Sequence, residues 1–141
     1  FSKAYGLSGL RLGCAISSKH LATFMEKARQ PFNVNLLAQA AGLAALEDGD
    51  FLKKTRDITL KGKQFFYATF QKMGLSFVPS VANFILLDVG RDCLAVFKDL
   101  LKQGVIVRDM KQYGLNNFVR VTIGTPGENA KFVKALKKIL A

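Results

Sequence analysis

The sequence predicts an α+β fold, in which a small, mostly antiparallel sheet carries helices on one face. Helical patterns dominate the first half of the chain, whereas short strand-like segments alternate with helices in the second half. Half of the 141 residues are hydrophobic and 12 are Phe, which is enough apolar material for a packed core. Strands that are joined through helices and loops are typical of α+β layers.

The first 48 residues are predicted to contain a strand and two helices. Glycines punctuate the approach to a strand at residues 10–16. Ser18 is predicted to cap a helix that runs to about Arg29 and is stopped by Pro31. An Ala- and Leu-rich segment follows at residues 34–47. Its composition is typical of a helix that is buried or packed in an interface.

The remaining residues, 49–141, are predicted to supply the sheet and three more helices. Asp50 can cap a long helix from about Phe51 to Met73, which Gly74 ends. Strands are predicted at residues 75–78, 83–89, 105–108 and 118–123, and helices at residues 92–103 and 128–140. The segment FVRVTI at residues 118–123 alternates between two faces, as a half-buried strand does.

Charge and composition limit the kinds of partner. The chain has 21 basic and 10 acidic residues, a net charge of +11, but the basic residues form no dense run. A basic α+β module that binds nucleic acid is therefore an alternative and not the favoured reading. Cys14, Cys93 and the single His20 match no ligand spacing, so no metal site is expected. Without a disulfide framework a cytoplasmic location is expected, and no apolar run reaches the ~18 residues that predict membrane insertion.

The opening segment combines residues that suit a phosphorylated aldehyde. Gly6 and Gly9 allow the backbone to turn back, so that Lys3 and Arg11 can face one site. Lysine amines form Schiff bases with carbonyl compounds, arginine binds phosphate, and Ser2 can add a hydroxyl donor. On spacing alone, two exposed surface charges are the alternative.

The segment SKAYGLSGLRLG at residues 2–13 resembles the cofactor-lysine segment of fold-type I pyridoxal-phosphate aminotransferases. The resemblance implies that Lys3 holds pyridoxal 5'-phosphate covalently and is the catalytic residue, and that Ser2 and Arg11 bind the cofactor phosphate. It also implies that residues 1–48 are the end of an α/β large domain that binds the cofactor. Residues 49–141 would then be the C-terminal small domain.

Four further segments are similar to the histidinol-phosphate aminotransferase group: RQPFNVN at residues 29–35, ANF at 82–84, VRD at 107–109 and VRVTIGT at 119–125. The resemblance implies that Arg120 pairs with a substrate carboxylate and that Arg108 contacts a substrate phosphate. An arginine inside an apolar strand needs a buried partner or a ligand, which favours a binding role for Arg120. Asn33 and Asn35 share the likeness, but no role is assigned to them.

The implied reaction converts histidinol phosphate and 2-oxoglutarate to imidazole-acetol phosphate and glutamate, a step of histidine biosynthesis. Lys3 would move the proton of the substrate α-carbon. The implied partners are a phosphorylated amino compound, a 2-oxo acid and a second subunit in a homodimer. Aromatic amino-acid aminotransferases and threonine-phosphate decarboxylases share the lysine motif and stay open as alternatives.

The chain begins at Phe1, and we expect it to be a piece of a longer protein. In the family that it resembles, a carboxylate for the pyridine nitrogen and an aromatic ring for stacking precede the cofactor lysine. We therefore expect this piece to be inactive alone. We also expect the Ala-rich helix at residues 34–47 to expose an apolar patch that promotes self-association.

Overall fold

The computed structural model describes residues 1–140, which divide into two compact units. The first unit comprises Phe1–Arg56 and the second Asp57–Ala141, of which residues 57–140 are described. The domain boundary predicted between residues 48 and 49 stays a prediction. Within the described residues, no helix is long and apolar enough to cross a membrane.

Helices α1 (Lys19–Ala28) and α2 (Leu36–Glu47) lie in the first unit. The side chain of Ser18 accepts a hydrogen bond from the Leu21 amide at the start of α1, which confirms the predicted cap. The Asn35 side chain accepts from the amide of Ala38 at 2.9 Å and caps α2. Asn35 therefore has a structural role that the sequence alone did not assign.

The strand predicted at residues 10–16 is wrong. Ser8–Leu10 form a short 3₁₀ helix, and residues 12–18 have no regular secondary structure. A strand is defined by hydrogen bonds to a neighbouring strand. All strands of the described chain lie between Phe77 and Thr122, so residues 10–16 have no neighbouring strand with which to pair in this structure.

Helix α3 (Gly49–Lys72) is capped by Asp48 and not by Asp50. The Asp48 carboxylate accepts a hydrogen bond from the Phe51 amide at 2.9 Å, whereas Asp50 lies in the first turn, where its charge suits the helix dipole. Gly74 ends the helix as predicted. Its φ of 68° lets the Leu75 amide bond back to the Phe70 carbonyl at 2.9 Å.

The second unit contains a four-stranded sheet of β1 (Phe77–Val78), β2 (Phe84–Asp88), β3 (Arg108–Asp109) and β4 (Phe118–Thr122), in the order β1-β2-β4-β3. All three strand pairs are antiparallel. Helix α4 (Cys93–Lys102) connects β2 to β3, and α5 (Pro126–Leu140) follows β4. The predicted α+β fold with an antiparallel sheet is thus confirmed.

The third strand is displaced from its predicted position at residues 105–108. Val105 and Val107 are buried and Ile106 is exposed, so the segment alternates as a strand does. The amide of Val105, however, donates a hydrogen bond to the carbonyl of Leu100 in the last turn of α4. Cross-strand pairing begins only at Arg108. The predicted strand therefore overlaps the observed strand, Arg108–Asp109, only at Arg108.

One face of the sheet forms the core of the second unit. Alternate residues of β2 and β4 point into it, and all three helices of this unit cover them. The fully buried members include Phe66 and Phe70 of α3, Ile85 and Leu87 of β2, Val96 and Leu100 of α4, Val119 of β4, and Leu136 of α5. The other face of β2 and β4 carries the partly exposed Phe84, Leu86 and Arg120 and the exposed Thr122.

The turn between β4 and α5 is fixed by two side chains. Glu128 accepts hydrogen bonds from the backbone amide and the hydroxyl of Thr125, each at 2.7 Å, which forms a capping box. The buried Asn129 side chain accepts from the Gly124 amide at 2.9 Å and donates to the Gly124 carbonyl at 3.0 Å. Because of these bonds, α5 begins at Pro126, two residues before its predicted start.

Candidate functional site

The segment that carries Lys3 is a closed turn. The Gly6 amide donates to the Lys3 carbonyl and the Leu7 amide donates to the Phe1 carbonyl, both at 3.1 Å. Gly6 has a φ of 69°, which glycine adopts without strain. The rings of Phe1 and Tyr5 stack with their centroids 5.1 Å apart. The turn leaves the Lys3 side chain exposed to solvent.

Arg11 lies at the C-terminal end of the 3₁₀ helix and not on a strand. Its φ of 56° places it in the left-handed region, which is uncommon for a residue other than glycine. One guanidinium nitrogen, Nη1, donates to the Ser8 carbonyl at 2.9 Å. Ser2 is half-buried at the start of the same segment. Ser2, Lys3 and Arg11 therefore all lie in the first eleven residues of the chain, which contain a turn and the 3₁₀ helix.

Helix α2 supports this segment through a close approach at Gly42. A Cβ atom built on Gly42 would collide with the Leu12 side chain and lie 3.8 Å from the Phe1 ring. Gly42 and Ala38 are the buried residues of α2. The small residues of the helix thus lie against the segment that contains the lysine turn.

Arg108 and Arg120 are brought together by the sheet. They are direct partners in the antiparallel pairing of β3 with β4, and Leu86 is the partner of Arg120 on its other side, in β2. Like charges that face each other across two strands repel. The register therefore places two positively charged residues opposite each other on adjacent strands, a pairing that does not stabilise the sheet by itself.

The surroundings of Arg120 leave one of its donors without a partner. Its Nε atom is buried and makes no hydrogen bond to the described residues. The three ion pairs of residues 1–140 involve Arg29, Lys102 and Lys111 as the cations, so neither arginine of the sheet pairs with a carboxylate. The Arg120 guanidinium carbon instead lies 5.1 Å from the centroid of the Phe84 ring.

A cleft of about 580 Å³ lies beside this arginine pair, lined among others by Arg108, Asp109, Gln112, Arg120 and Thr122. Its polar lining includes two permanent positive charges and one carboxylate. An arginine fork binds carboxylate or phosphate through two parallel hydrogen bonds. This arrangement can therefore hold an anionic group of a small molecule.

Two aromatic residues of this region were missed from the sequence. Phe84 was noted only as part of the ANF likeness, and Tyr113, whose ring centroid lies 5.9 Å from the Arg108 guanidinium carbon, was not considered. Phe84 could have been found, because the alternation of FILLD puts it on the same face as Leu86. Tyr113 lies in a 3₁₀ helix, which no periodicity indicated.

The predicted site residues thus form two sets in different units. The first set offers an exposed amine, a hydroxyl and a guanidinium, and the second offers the guanidinium groups of two residues that are partners on adjacent strands. Residues 1–140 contain no cluster of three or more His, Cys, Asp or Glu side chains that could hold a metal ion.

Known proteins resemble this chain over its whole length. It is 49% identical to histidinol-phosphate aminotransferase 2 of Pseudomonas fluorescens over 141 residues, which is 100% of this chain and 38% of that protein. The histidinol-phosphate aminotransferase of Sinorhizobium meliloti, solved in complex with pyridoxal-5'-phosphate, superposes with a TM-score of 0.89 at 30% identity. That match covers 99% of this chain and 39% of the solved one.

A third relative is an L-threonine-O-3-phosphate decarboxylase from Porphyromonas gingivalis. Its structure has a TM-score of 0.79 and 29% identity, and the match covers 99% of this chain and 45% of that one. The chain therefore spans less than half the length of the proteins that it resembles. Residues 1–136 match the family described as Aminotransferase class I and II. The resemblance inferred from the lysine motif is confirmed: this chain belongs to the class I and II aminotransferase family.

Proposed function

We propose that the protein to which this chain belongs is a pyridoxal-phosphate-dependent transaminase that uses histidinol phosphate and 2-oxoglutarate. The observation that carries the proposal is the direct pairing of Arg108 with Arg120 on the face of the sheet opposite the core, where no carboxylate of residues 1–140 forms an ion pair with either arginine. Such a pair suits substrates that carry a phosphate or a carboxylate. The 49% identity to a protein named histidinol-phosphate aminotransferase supports the same substrate.

The residues around Lys3 fit pyridoxal 5'-phosphate by the chemistry of their donors. Lys3 offers an exposed amine for the aldehyde, and no hydrogen bond or ion pair of the described residues engages it. Arg11 uses Nη1 for the Ser8 carbonyl and keeps its other nitrogens for a phosphate, to which Ser2 adds a hydroxyl. We therefore propose that Lys3 holds the cofactor and that Ser2 and Arg11 bind its phosphate. When bound, this cofactor supplies an electron sink for the substrate α-carbon.

The protein residues bind, orient and transfer a proton in this scheme. The Lys3 amine would remove the proton from the α-carbon of the amino-group donor. In the second half of the cycle it would deliver a proton to the α-carbon of 2-oxoglutarate as that carbon becomes the α-carbon of glutamate. Arg120 binds the carboxylate of glutamate or 2-oxoglutarate through its planar fork. Arg108 binds the phosphate of histidinol phosphate. Both anions are thus held by adjacent strands, β3 and β4.

The proposal extends to assembly and location. We propose that the complete protein is a cytoplasmic homodimer. The exposed leucines of α2 support an interface, because Leu36 is 79% and Leu37 74% exposed in this chain, and large apolar patches on a protein surface mark interaction sites. We also propose that this chain has no turnover alone, because it spans 38% of the relative in which the activity is named.

Cofactor trapping on this chain tests the lysine site. The chain is mixed with pyridoxal phosphate and reduced with borohydride, and the modified lysines are mapped by peptide mass spectrometry. We expect selective labelling of Lys3 that is weakened by Arg11→Ala and unchanged by Arg29→Ala, a control at the C-cap of α1. Even, weak labelling of all lysines would contradict a cofactor site within this chain.

An activity assay of the complete protein tests the substrate. We expect glutamate to form from histidinol phosphate and 2-oxoglutarate. Arg120→Gln should lower kcat/KM for 2-oxoglutarate by about 100-fold, as loss of one partner from a charged, hydrogen-bonded contact does. Activity that is unchanged in this variant would remove Arg120 from the binding site.

A decarboxylase of a phosphorylated amino acid is the second candidate, favoured by the structural likeness to the threonine-phosphate enzyme. Its substrate also carries a phosphate, so Arg108 would serve both. Release of carbon dioxide from threonine phosphate without 2-oxoglutarate would establish the decarboxylase. Amino transfer from phenylalanine or tyrosine would instead indicate the aromatic aminotransferase alternative.

A further inference from the structure

We propose that Phe84 is the positioning residue of Arg120, and that Tyr113 has the same but weaker role for Arg108. This inference rests on the proposed function, in which both arginines bind substrate anions. In this proposal two aromatic rings orient the guanidinium groups of the two arginines. Carboxylates commonly have this role in other proteins.

The strands around Arg120 provide no hydrogen-bond acceptor that fixes its side chain. Its partner in β2 is the apolar Leu86, and its partner in β3 is Arg108, a second cation. The buried Nε atom accordingly has no hydrogen bond to the described residues. A long side chain in this setting loses rotamer entropy when it is ordered, so another contact must hold it for the binding geometry to persist.

The Phe84 ring supplies that contact. Phe84 precedes Leu86 by two residues on β2, which puts it on the same face as Arg120 and diagonally across from it. The guanidinium carbon lies 5.1 Å from the ring centroid, within the range in which the negative face of an aromatic ring attracts a cation.

An aromatic partner has a consequence that a carboxylate partner would not have. A carboxylate would occupy guanidinium N–H groups with hydrogen bonds, whereas a ring attracts the cation through its face and leaves these donors unused. The terminal nitrogens of Arg120 therefore remain available for a bidentate contact with a substrate carboxylate.

The guanidinium group of Arg108 also lies near an aromatic ring, that of Tyr113, but this contact is weaker. Its guanidinium carbon lies 5.9 Å from the centroid of Tyr113, and Tyr113 is 60% exposed. Exposed cation–π contacts are weaker than desolvated ones. Loss of the Tyr113 ring is therefore expected to affect phosphate binding less than loss of the Phe84 ring affects carboxylate binding.

The test uses the complete, cofactor-loaded protein and the KM and kcat for 2-oxoglutarate. Phe84→Leu should raise KM about 3- to 10-fold, the effect of losing one cation–π contact, and change kcat less. Phe84→Tyr, which keeps the ring, should stay near the parent value. Phe118→Leu is the matched control, because Phe118 lies on the same face two residues before Arg120 and no arginine among the described residues lies over its ring.

Fluorinated phenylalanines at position 84 test the electrostatic part without a change of shape. Fluorine withdraws charge from the ring face, so KM should rise stepwise with the number of fluorine atoms. A flat series, or a Phe84→Leu variant with parent KM while Arg120→Gln raises KM, would overturn the positioning role. If Arg120→Gln itself leaves KM unchanged, the proposed function of Arg120 fails instead.

Discussion

The two units differ in how far their apolar side chains are buried. In the second unit, Phe66, Phe70, Leu87 and Leu136 are completely buried. In the first unit, by contrast, the buried residues are the small Ala38 and Gly42, while the leucines of α2 are exposed. Apolar composition alone therefore does not make a core, because burial requires a second layer of secondary structure against which a face can pack.

Helix α2 makes this difference clear. Leucine and alanine occupy all of its sides, a pattern typical of a helix that is buried all round. Leu43 is nevertheless 67% and Leu46 60% exposed. The predicted apolar patch is confirmed, and these leucines contribute little hydrophobic stabilisation within the described chain.

The same substitution in each unit gives the largest expected contrast. Leu136→Ala removes a completely buried side chain of α5 and should lower the free energy of unfolding by about 2–5 kcal/mol. Leu43→Ala should change it by less than about 0.5 kcal/mol, as exposed substitutions usually do. Urea denaturation followed by circular dichroism measures both. Equal losses would show that α2 is packed in solution.

A glycine of α3 tests how tightly the second unit is packed. A Cβ on Gly62 would collide with the Ile123 side chain and lie 3.0 Å from Asn129 Nδ2. Gly62→Ala should therefore destabilise by about 1–2 kcal/mol, although alanine is the better helix former. Gly127→Ala, in the first turn of α5 with no atom within 4 Å of the new Cβ, should be neutral or stabilising. An increase in stability at both positions would mean that α3 is not tightly packed against Ile123 and Asn129.

Self-association tests the open surface of the first unit. The double variant Leu36→Lys and Leu43→Lys places two charges about two turns apart on one face of α2 and should shift this chain toward the monomer. The control for net charge is the double variant Gln64→Lys and Gln71→Lys, which adds the same two charges at exposed positions of α3. Sedimentation velocity across a range of concentrations measures the shift. A parent chain that is already monomeric throughout would contradict the prediction.

The smallest expected effect is the pH dependence of the α5 cap. Hydrogen bonds from the backbone amide and then the hydroxyl of Thr125 hold the pKa of Glu128 below its ordinary value of 4.5. The cap therefore stabilises the fold fully above that value and is lost as pH falls through the lowered pKa. Glu128→Gln should be less stable than the parent near neutral pH, and the difference should shrink below pH 4.5. A difference that is constant down to pH 3 would exclude this carboxylate as the cause.

Local signals predicted much of the fold. The Ser18 cap, the Gly74 stop and the alternation of FVRVTI depend on neighbouring residues, and the structure confirms each of them. The strand at residues 10–16 failed because strand formation depends on a distant partner. The cap of α3 moved from Asp50 to Asp48 because either carboxylate is a good cap, and only the backbone path decides which one reaches the free amides.

The candidate site shows the same division. The lysine motif identified the family, whereas the pairing of Arg108 with Arg120 depends on strand register, which the sequence between them does not specify. The roles of Ser2, Lys3, Arg11, Arg108 and Arg120 stay predictions. Phe84 and Tyr113 became candidates only when their distances to the arginines were known.

The pairing of Arg108 with Arg120 should also make the stability of the sheet depend on the anions in solution. Two facing cations cost free energy in the empty state, and an anion that binds between them relieves that cost while adding its own binding energy. The melting temperature of the second unit should therefore report occupancy, rising with phosphate beyond the effect of chloride at equal ionic strength. The thermal stability of the sheet would then depend on whether an anion is bound at Arg108 and Arg120.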